Sequence, residues 1–294
     1  MFTRRSLLAG LAALPLSARA DGDFRQFLAQ TAQQARRAGV SSRVIAAAFR
    51  GLTPDARVIA HDQTQPELTL TWPQYRARML IPARIQAGRS AFAANVSLLR
   101  TIGAVYGVDP RIICAIWGIE SSYGTAKGHF KLIRSLATLA WQGRRAAYFT
   151  NELIAALKIL AAGYATPAML SSGWAGAMGQ PQFMPSVYLK SAVDFDGDGK
   201  RDIWNNPSDS FASIANYLVQ HGWQRGGPWA ELIAVPPANN LAPANLAPGD
   251  RVLLPSGAPP DQTFLIHPNF DVIERYNPSD FYALAVGLLA DALA

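Results

Sequence analysis

This sequence of 294 residues is poor in cysteine, in long apolar runs and in clustered basic residues. Its single cysteine, Cys114, cannot form an intramolecular disulfide, so the fold cannot depend on one. The N-terminal apolar run, residues 7–16, is shorter than the ~20 residues that a membrane-spanning helix needs. Lysine and arginine form no dense run, and the seven tryptophans are not interleaved with basic residues. The sequence therefore disfavours a disulfide scaffold, a transmembrane segment and nucleic-acid binding.

The first 20 residues have the three parts of a signal peptide. Arg4-Arg5 is a positive n-region, residues 7–16 are a short apolar region, and Ala18-Arg19-Ala20 is an A-x-A cleavage site. Residues 3–8 also resemble a twin-arginine export signal. Removal of three arginines and no acidic residue would lower the net charge from +7 to about +4. No cysteine lies near residue 20 to carry a lipid, so we expect a soluble, exported periplasmic protein.

Asp109–Gly124 is predicted to be a buried helix that carries the candidate catalytic residue. Asp109 can cap its start, Pro110 suits its first position and Gly124 can end it. Glu120 interrupts its apolar run. Burial and the negative end of the helix dipole both favour the protonated carboxyl group, as a general acid requires. The alternative is a salt-bridged structural glutamate.

Residues 171–186, SSGWAGAMGQPQFMPS, are predicted to form a compact turn with a polar and aromatic surface. Trp174 and Phe183 offer ring faces, and Gln180 and Gln182 offer amide groups. Aromatic faces and amides suit sugar rings and their hydroxyls. The alternative is a tight structural loop between helices.

Residues 194–205, DFDGDGKRDIWN, resemble the first seven positions of an EF-hand calcium loop. Asp194, Asp196 and Asp198 alternate and would repel one another without a cation. Lys200 could offer its carbonyl, and Asp202 or Asp209 could supply the closing carboxylate. The alternative is a surface turn rich in aspartate and glycine.

The remaining sequence predicts further helices and a few short strands. We expect an extended segment from Gln63 to Tyr75, a helix cap at Ser41 or Ser42, and a last helix over Phe281–Ala294 capped by Ser279 or Asp280. Predicted helices cover Tyr75–Arg84, Ser90–Tyr106, Leu132–Trp141, Arg144–Ala162 and Phe211–Gln220, and predicted strands cover Leu232–Val235, Arg251–Leu254 and Thr263–Ile266. Arg144 and Arg145 oppose the dipole at the start of their helix, so they either bind an anionic ligand or are solvated.

Several segments together resemble the murein lytic transglycosylases of the membrane-bound lytic transglycosylase B family, which has soluble relatives. They read IWGIESSYG, LATLAWQGRRAAYFTNELIAAL, WAGAMGQPQFMPSVY, DFDGDGKRDIW, SIANYLVQHGW and NFDVIERYNPSDFYALAV, in the same order, with QPELTLTWPQY before them. The resemblance extends from about Phe24 to the C-terminus. It implies a mainly α fold with a lysozyme-like helical core, an N-terminal helical subdomain and a small β-containing insertion with a calcium loop.

The resemblance implies that the protein cleaves the β-1,4 bond between N-acetylmuramic acid (MurNAc) and N-acetylglucosamine (GlcNAc) in peptidoglycan. The product would be a 1,6-anhydro-MurNAc end, with Glu120 as acid and then base. By the same resemblance, the substrate-binding residues are Tyr75, Arg144, Arg145, Ser172, Gln182, Tyr217, Tyr276 and Tyr282, and the Ca²⁺ ligands are Asp194, Asp196, Asp198, Lys200 and Asp209. Gly173 stands where the best-known relative has a serine that contacts substrate, with Ser172 beside it. Asn205-Asn206 adds a residue before Asp209.

The sequence is also compatible with two other functions. A true lysozyme would need a second carboxylate, such as Asp202, to hold a water. A non-catalytic glycan-binding protein would need no acid at all.

The predicted layout is a signal peptide over 1–20, an N-terminal helical subdomain over 21–90, a catalytic core over 91–230 with the calcium loop at 194–209, a β-containing insertion over 231–270 and a returning helix over 271–294. No cofactor is expected for catalysis, and a structural Ca²⁺ is. Glycan strands are the expected partner, with proteins of cell-wall synthesis or remodelling as candidate protein partners.

Overall fold

A computed structural model of the chain describes residues 16–63, 70–126, 128–142, 144–233 and 246–293, with side chains from residue 23 onward. The predicted residues 1–15 of the signal peptide and the segment 64–69 lie outside this range. The described helices are α1 (Leu16–Arg37), α2 (Ser42–Phe49), α3 (Ala56–Gln63), α4 (Trp72–Met79), α5 (Pro82–Tyr106), α6 (Pro110–Ser121), α7 (Leu132–Gln142), α8 (Ala146–Ala161), α9 (Pro185–Ser191), α10 (Pro207–Gln220), α11 (Pro268–Tyr276) and α12 (Asp280–Ala292). The strands are β1 (Phe130–Lys131), β2 (Ser171–Ser172), β3 (Ala230–Ile233), β4 (Arg251–Leu253) and β5 (Thr263–Ile266). The mainly α fold predicted from the sequence is confirmed.

Helix α6 lies at the centre of the core. Its residues 112–118 are all buried, and it packs against α5, α10 and α12. As predicted, Asp109 caps its start, accepting a hydrogen bond from the Arg111 backbone N–H at 2.8 Å. Trp117 packs edge-on against Phe211 of α10, with ring centroids 4.8 Å apart. Helices α5, α10 and α12 therefore hold α6 on several sides, so the side chains of α6 have fixed positions.

The predicted end of α6 at Gly124 is wrong by three residues. The helix ends at Ser121, and Ser122, Tyr123 and Gly124 all have positive φ angles, of 50°, 59° and 77°. Two non-glycine residues in this left-handed region are unusual and cost free energy unless their surroundings hold them. The Tyr123 hydroxyl donates to the Arg84 carbonyl at 3.1 Å, which helps to hold this turn. The strained turn begins two residues after Glu120.

Two other helix predictions need correction. The segment predicted as extended contains the start of α4 at Trp72, because Pro73 lies in the first turn, where its missing N–H is tolerated. Helix α5 begins at Pro82 instead of Ser90 for the same reason. Helix α3 was not foreseen. The caps at Ser41 and Ser279 and the left-handed Gly107 that ends α5 agree with the sequence.

The predicted strand segments meet in one antiparallel sheet in the order β3-β5-β4. Leu232 and Leu253 both pair with Phe264. The predicted β3 continues into residues 234–235, which lie outside the described residues. A second, two-stranded sheet pairs Phe130 with Ser172. It joins the segment after α6 to the start of the turn 171–186.

No single described helix combines the length and the hydropathy of a membrane span. Helices α5 and α6 pass that test only as a pair, bent by 114°.

The substitution Gly118→Ala is expected to destabilise the protein, although alanine usually favours a helix by about 1 kcal/mol over glycine. A Cβ at Gly118 would collide with the ring of Tyr123. We expect a net loss of about 1–3 kcal/mol in the free energy of unfolding, measured by urea denaturation. In a Tyr123→Ala background the collision is absent, so the same change should be neutral or stabilising. A destabilising effect of equal size in both backgrounds would contradict this explanation.

Candidate active site

Glu120 lies on the last turn of α6, and its side chain is partly buried. Burial raises the pKa of this carboxyl group from 4.5 to about 7, and a hydrogen bond from Tyr282 partly opposes that rise. The Tyr282 hydroxyl donates to Glu120 Oε1 at 2.6 Å. Among the described residues, no second carboxylate contributes to this shift. A large share of Glu120 is thus protonated near neutral pH, and its orientation is fixed.

Tyr276 lies beside this pair. Its ring is nearly parallel to that of Tyr282, with an interplanar angle of 13° and centroids 6.4 Å apart. Its hydroxyl donates to the Pro181 carbonyl at 2.7 Å, which links it to the turn 171–186. Burial, and then the charge of Glu120, raises the pKa of both tyrosines well above the usual value. Both therefore stay protonated and can act only as neutral hydrogen-bonding groups.

Tyr75 and Tyr217 extend this aromatic group by different contacts. Burial, followed by the charge of Glu120, raises the pKa of Tyr75, which places its hydroxyl within electrostatic reach of that carboxylate. Tyr217 packs edge-on against Tyr276 at 4.8 Å and donates to the Arg275 carbonyl at 2.6 Å. The structure thus brings all four predicted tyrosines close together: Tyr276 lies beside Tyr282, Tyr217 packs against Tyr276, and Tyr75 senses the charge of Glu120.

The turn 171–186 uses much of its polar surface internally. Gln182 has a φ of 52°, and its Nε2 donates to the Gly179 carbonyl at 2.7 Å. Both amide atoms of Gln180 bond to protein groups. Ser172 is 1% exposed, and its hydroxyl has no partner among the described residues. A Cβ at Gly173 would have Gln182 Oε1 as its nearest neighbour, at 3.8 Å, so the turn has room for a side chain at position 173.

Sequence reasoning missed one contact of the predicted sugar platform. Trp174 stacks on His61 of α3, with centroids 5.8 Å apart and an interplanar angle of 19°. His61 lies in a helix that was not predicted, and a single histidine in a short amphipathic segment gives no signal of such a contact.

The two predicted arginines have different surroundings. Arg144 donates to the Asp62 carbonyl at 3.2 Å. The Arg145 guanidinium lies over the Tyr148 ring, 4.1 Å from its centroid. In the described part of the chain neither forms an ion pair, so both retain a positive charge for an anion. No contact there joins either of them to Glu120.

The acidic loop brings together three of its predicted ligands. One carboxylate oxygen from each of Asp194, Asp196 and Asp209 lies within 4.8 Å of the other two. Asp209 is fully buried, and its pKa is raised mainly by burial and further by the charges of Asp196 and Asp194. Asp198 instead accepts from the Lys200 backbone N–H at 2.9 Å and lies 3.7 Å from its ammonium group. Three carboxylates this close, one of them buried, form a donor set suited to a hard cation such as Ca²⁺.

Residues 23–291 match the family model described as Transglycosylase SLT domain. The chain is 36% identical over 250 residues to the membrane-bound lytic murein transglycosylase B of Escherichia coli K12, covering 76% of this chain and 67% of that protein. It superposes on SltB3 from Pseudomonas aeruginosa in complex with NAG-anhNAM-pentapeptide with a TM-score of 0.84 and 39% identity, covering 92% of this chain and 79% of that one. It also superposes on Slt35 from E. coli in complex with calcium with a TM-score of 0.73 and 29% identity, covering 93% of each.

Proposed function

Because the chain belongs to the Transglycosylase SLT domain family and is a peptidoglycan lytic transglycosylase of lysozyme-like fold, we propose that Glu120 alone carries out both proton transfers of its reaction. The bond cleaved is the β-1,4 linkage between MurNAc and GlcNAc, and the product is a 1,6-anhydro-MurNAc end. The observation that carries this proposal is the carboxyl group of Glu120, with a pKa of about 7 and a 2.6 Å hydrogen bond to Tyr282.

The two proton transfers need no acid or base other than Glu120. Protonated Glu120 gives its proton to the glycosidic oxygen as the bond from that oxygen to C1 of MurNAc breaks. The resulting carboxylate takes the proton of the MurNAc 6-hydroxyl as O6 bonds to C1. Glu120 ends protonated, as it began, and no water is consumed. A pKa near the working pH suits a group that must both give and accept a proton.

The surroundings of Glu120 favour this route over hydrolysis. A lysozyme-type mechanism needs a second carboxylate about 5–9.5 Å from the first. Asp202, the candidate from the sequence, accepts hydrogen bonds from the backbone N–H groups of Trp204 and Asn205, at 3.0 Å each, inside the acidic loop. Its carboxylate therefore already accepts the backbone hydrogen bonds of a local turn. When the MurNAc 6-hydroxyl of the substrate itself attacks C1, no second carboxylate is needed to activate a water.

We assign the glycan-binding role to the side chains around Glu120. Tyr75 and Tyr276 offer ring faces and neutral hydroxyls beside the reacting bond. Gln182 follows Pro181, whose carbonyl accepts the hydroxyl of Tyr276. Tyr217 supports Tyr276. Ser172 stays a predicted substrate-binding residue, but its hydroxyl is buried and would need a local shift of the turn to reach a glycan. SltB3 has been crystallised with NAG-NAM-pentapeptide. By analogy, Arg144 and Arg145 are proposed to bind carboxylates of muramic acid or of a peptide stem.

We also propose a structural Ca²⁺ at the acidic loop, held by Asp194, Asp196 and Asp209. Asp198 and the carbonyl of Lys200 remain proposed ligands. A bound cation would neutralise the like charges that raise the pKa of Asp209. Residues 1–20 remain a proposed export signal to the periplasm, where peptidoglycan is found. Helix α1 begins at Leu16 and runs through the predicted cleavage site.

The direct test of this function is product analysis. Purified peptidoglycan sacculi are digested with the protein, and the fall in turbidity and the masses of the released fragments are recorded. Anhydro ends are lighter than reducing ends by one water. Anhydro fragments are the expected result. Reducing ends would indicate a lysozyme, and an absence of release would indicate a non-catalytic glycan-binding protein.

The substitution Tyr282→Phe is expected to lower kcat and to move the pH profile. Wild-type activity should decline as the pH rises above about 7, because Glu120 must be protonated to begin the reaction. The Tyr282 hydroxyl stabilises the carboxylate, so its removal should raise the pKa of Glu120 and shift this decline to higher pH. Loss of the hydrogen bond should also reduce kcat about tenfold.

Tyr106→Phe, near the start of α6 and at its opposite end from Glu120, is the matched control for this prediction. It should leave both kcat and the pH profile unchanged. A Tyr282→Phe profile that coincides with the wild-type profile, or that moves to lower pH, would contradict the role of Tyr282.

A further inference from the structure

Gln180 is a buried amide at the junction of the turn 171–186, α6 and the acidic loop. It is 9% exposed. Its Oε1 accepts a hydrogen bond from Trp117 Nε1 at 2.7 Å, and its Nε2 donates to the Trp204 carbonyl at 3.2 Å. Its backbone N–H donates to the Ile203 carbonyl at 2.8 Å. A glutamine whose amide ends bond to two different elements links those elements directly.

On one side, Gln180 contacts the end of α6 that carries Glu120. Trp117 precedes Glu120 by three residues, so the two side chains lie on neighbouring positions of the helix surface. Gly124 is the last residue of the strained turn after Glu120, and a Cβ there would lie 2.8 Å from Gln180 Oε1. The amide therefore touches α6 before Glu120 and the chain just after it.

On the other side, Gln180 is attached to a rigid part of the acidic loop. The Ile203 carbonyl that accepts from Gln180 also accepts from the Ser210 hydroxyl of α10 at 3.1 Å. The Asp202 backbone N–H donates to the buried carboxylate of Asp209 at 2.7 Å. The next residue in the turn, Pro181, accepts the hydroxyl of Tyr276. The acidic loop, α6 and a tyrosine beside Glu120 thus meet at two consecutive residues.

We propose that Gln180 is a positioning residue for the reaction, which holds the end of α6, and with it the carboxyl group of Glu120, in the orientation that proton transfer requires. This inference rests on the function proposed above. Gln180 acts through Trp117 and Gly124, and it need not touch substrate. Small displacements of a catalytic group are costly to rate, about 100-fold for 1 Å.

A double-mutant cycle on kcat tests this inference. Gln180→Met keeps the length of the side chain and removes both amide hydrogen bonds, and Trp117→Phe removes the indole donor and keeps an aromatic ring. The two single variants, the double variant and wild type are assayed on sacculi well below the lowest melting temperature. Gln33→Met, at an exposed position of α1, is the matched control.

We expect Gln180→Met to lower kcat about 10- to 100-fold with KM within about twofold of wild type. The double variant should be no slower than the less active of the two single variants, because both substitutions remove the hydrogen bond between Trp117 and Gln180. If Gln180→Met does not fold, Trp117→Phe alone tests the link from its other end, and its kcat should fall with KM unchanged.

Two results would overturn the inference. Single variants with kcat within twofold of wild type would show that the link does not position Glu120. Losses that multiply in the double variant would show that Gln180 and Trp117 act separately. The wild-type arm separates this failure from failure of the proposed function, since a wild type that releases no anhydro fragments refutes the function itself.

Discussion

Glu120→Gln is expected to abolish lytic activity, with a loss of at least about 10³-fold in kcat, while the fold is retained. A carboxamide cannot give a proton to the glycosidic oxygen, but its oxygen can still accept the hydrogen bond from Tyr282. The geometry of the site should therefore survive while the chemistry does not. The measurement is the rate of fragment release from sacculi, with circular dichroism to confirm folding.

The same variant has a stability signature that a bystander residue would lack. Burial raises the folded-state pKa of Glu120 from 4.5 to about 7, so its contribution to stability is fully present below about pH 4.5 and is lost as the pH rises through about 7. Glutamine does not ionise, so Glu120→Gln should gain stability relative to wild type between these pH values.

Glu231→Gln, at an exposed position of β3, is the charge-matched control and should retain full activity. A folded Glu120→Gln protein with more than a tenth of wild-type activity would remove Glu120 from its role.

Removal of Ca²⁺ by a chelator is expected to lower the melting temperature by about 5–10 °C. A cation held by Asp194, Asp196 and Asp209 binds only the folded chain, and it contributes about 2.7 kcal/mol when its free concentration is about 100 times Kd. Without it, three carboxylates within 4.8 Å of one another repel, and one of them is buried. The measurement is thermal unfolding with chelator and after Ca²⁺ is restored.

Asp209→Asn should remove this response, because it deletes the buried carboxylate of the cluster. The exposed Asp261→Asn is the control and should respond as wild type does. A melting temperature that is the same with chelator and with Ca²⁺ would argue against a metal at this loop.

The sequence was most informative where local chemistry sets the structure. Proline at a first helical turn, an aspartate or serine cap and a left-handed glycine are local signals, and they placed the starts of α6 and α12 and the end of α5 correctly. The starts of α4 and α5 were misplaced although Pro73 and Pro82 are local signals of the same kind. The end of α6 was misplaced because long-range contacts override such signals. The turn after Glu120 is left-handed at two non-glycine residues, which tertiary contacts such as that of Tyr123 with Arg84 help to hold.

The candidate site shows the same division. One acidic residue in a buried helix could be recognised from the pattern of α6 alone. Its partner Tyr282 lies 162 residues away, and no periodicity connects the two. The family resemblance predicts Tyr282 and Tyr276 as cleft residues. It did not identify Gln180, whose side chain bonds to Trp117 of α6 and to the Trp204 carbonyl of the acidic loop.

The central claim is that one carboxyl group and the substrate's own hydroxyl suffice for cleavage, and digestion of sacculi in oxygen-18 water tests it most directly. Wild type should release anhydro-MurNAc ends without label, and Glu120→Gln should release none. Labelled reducing ends would show that water attacks C1, and would contradict the account.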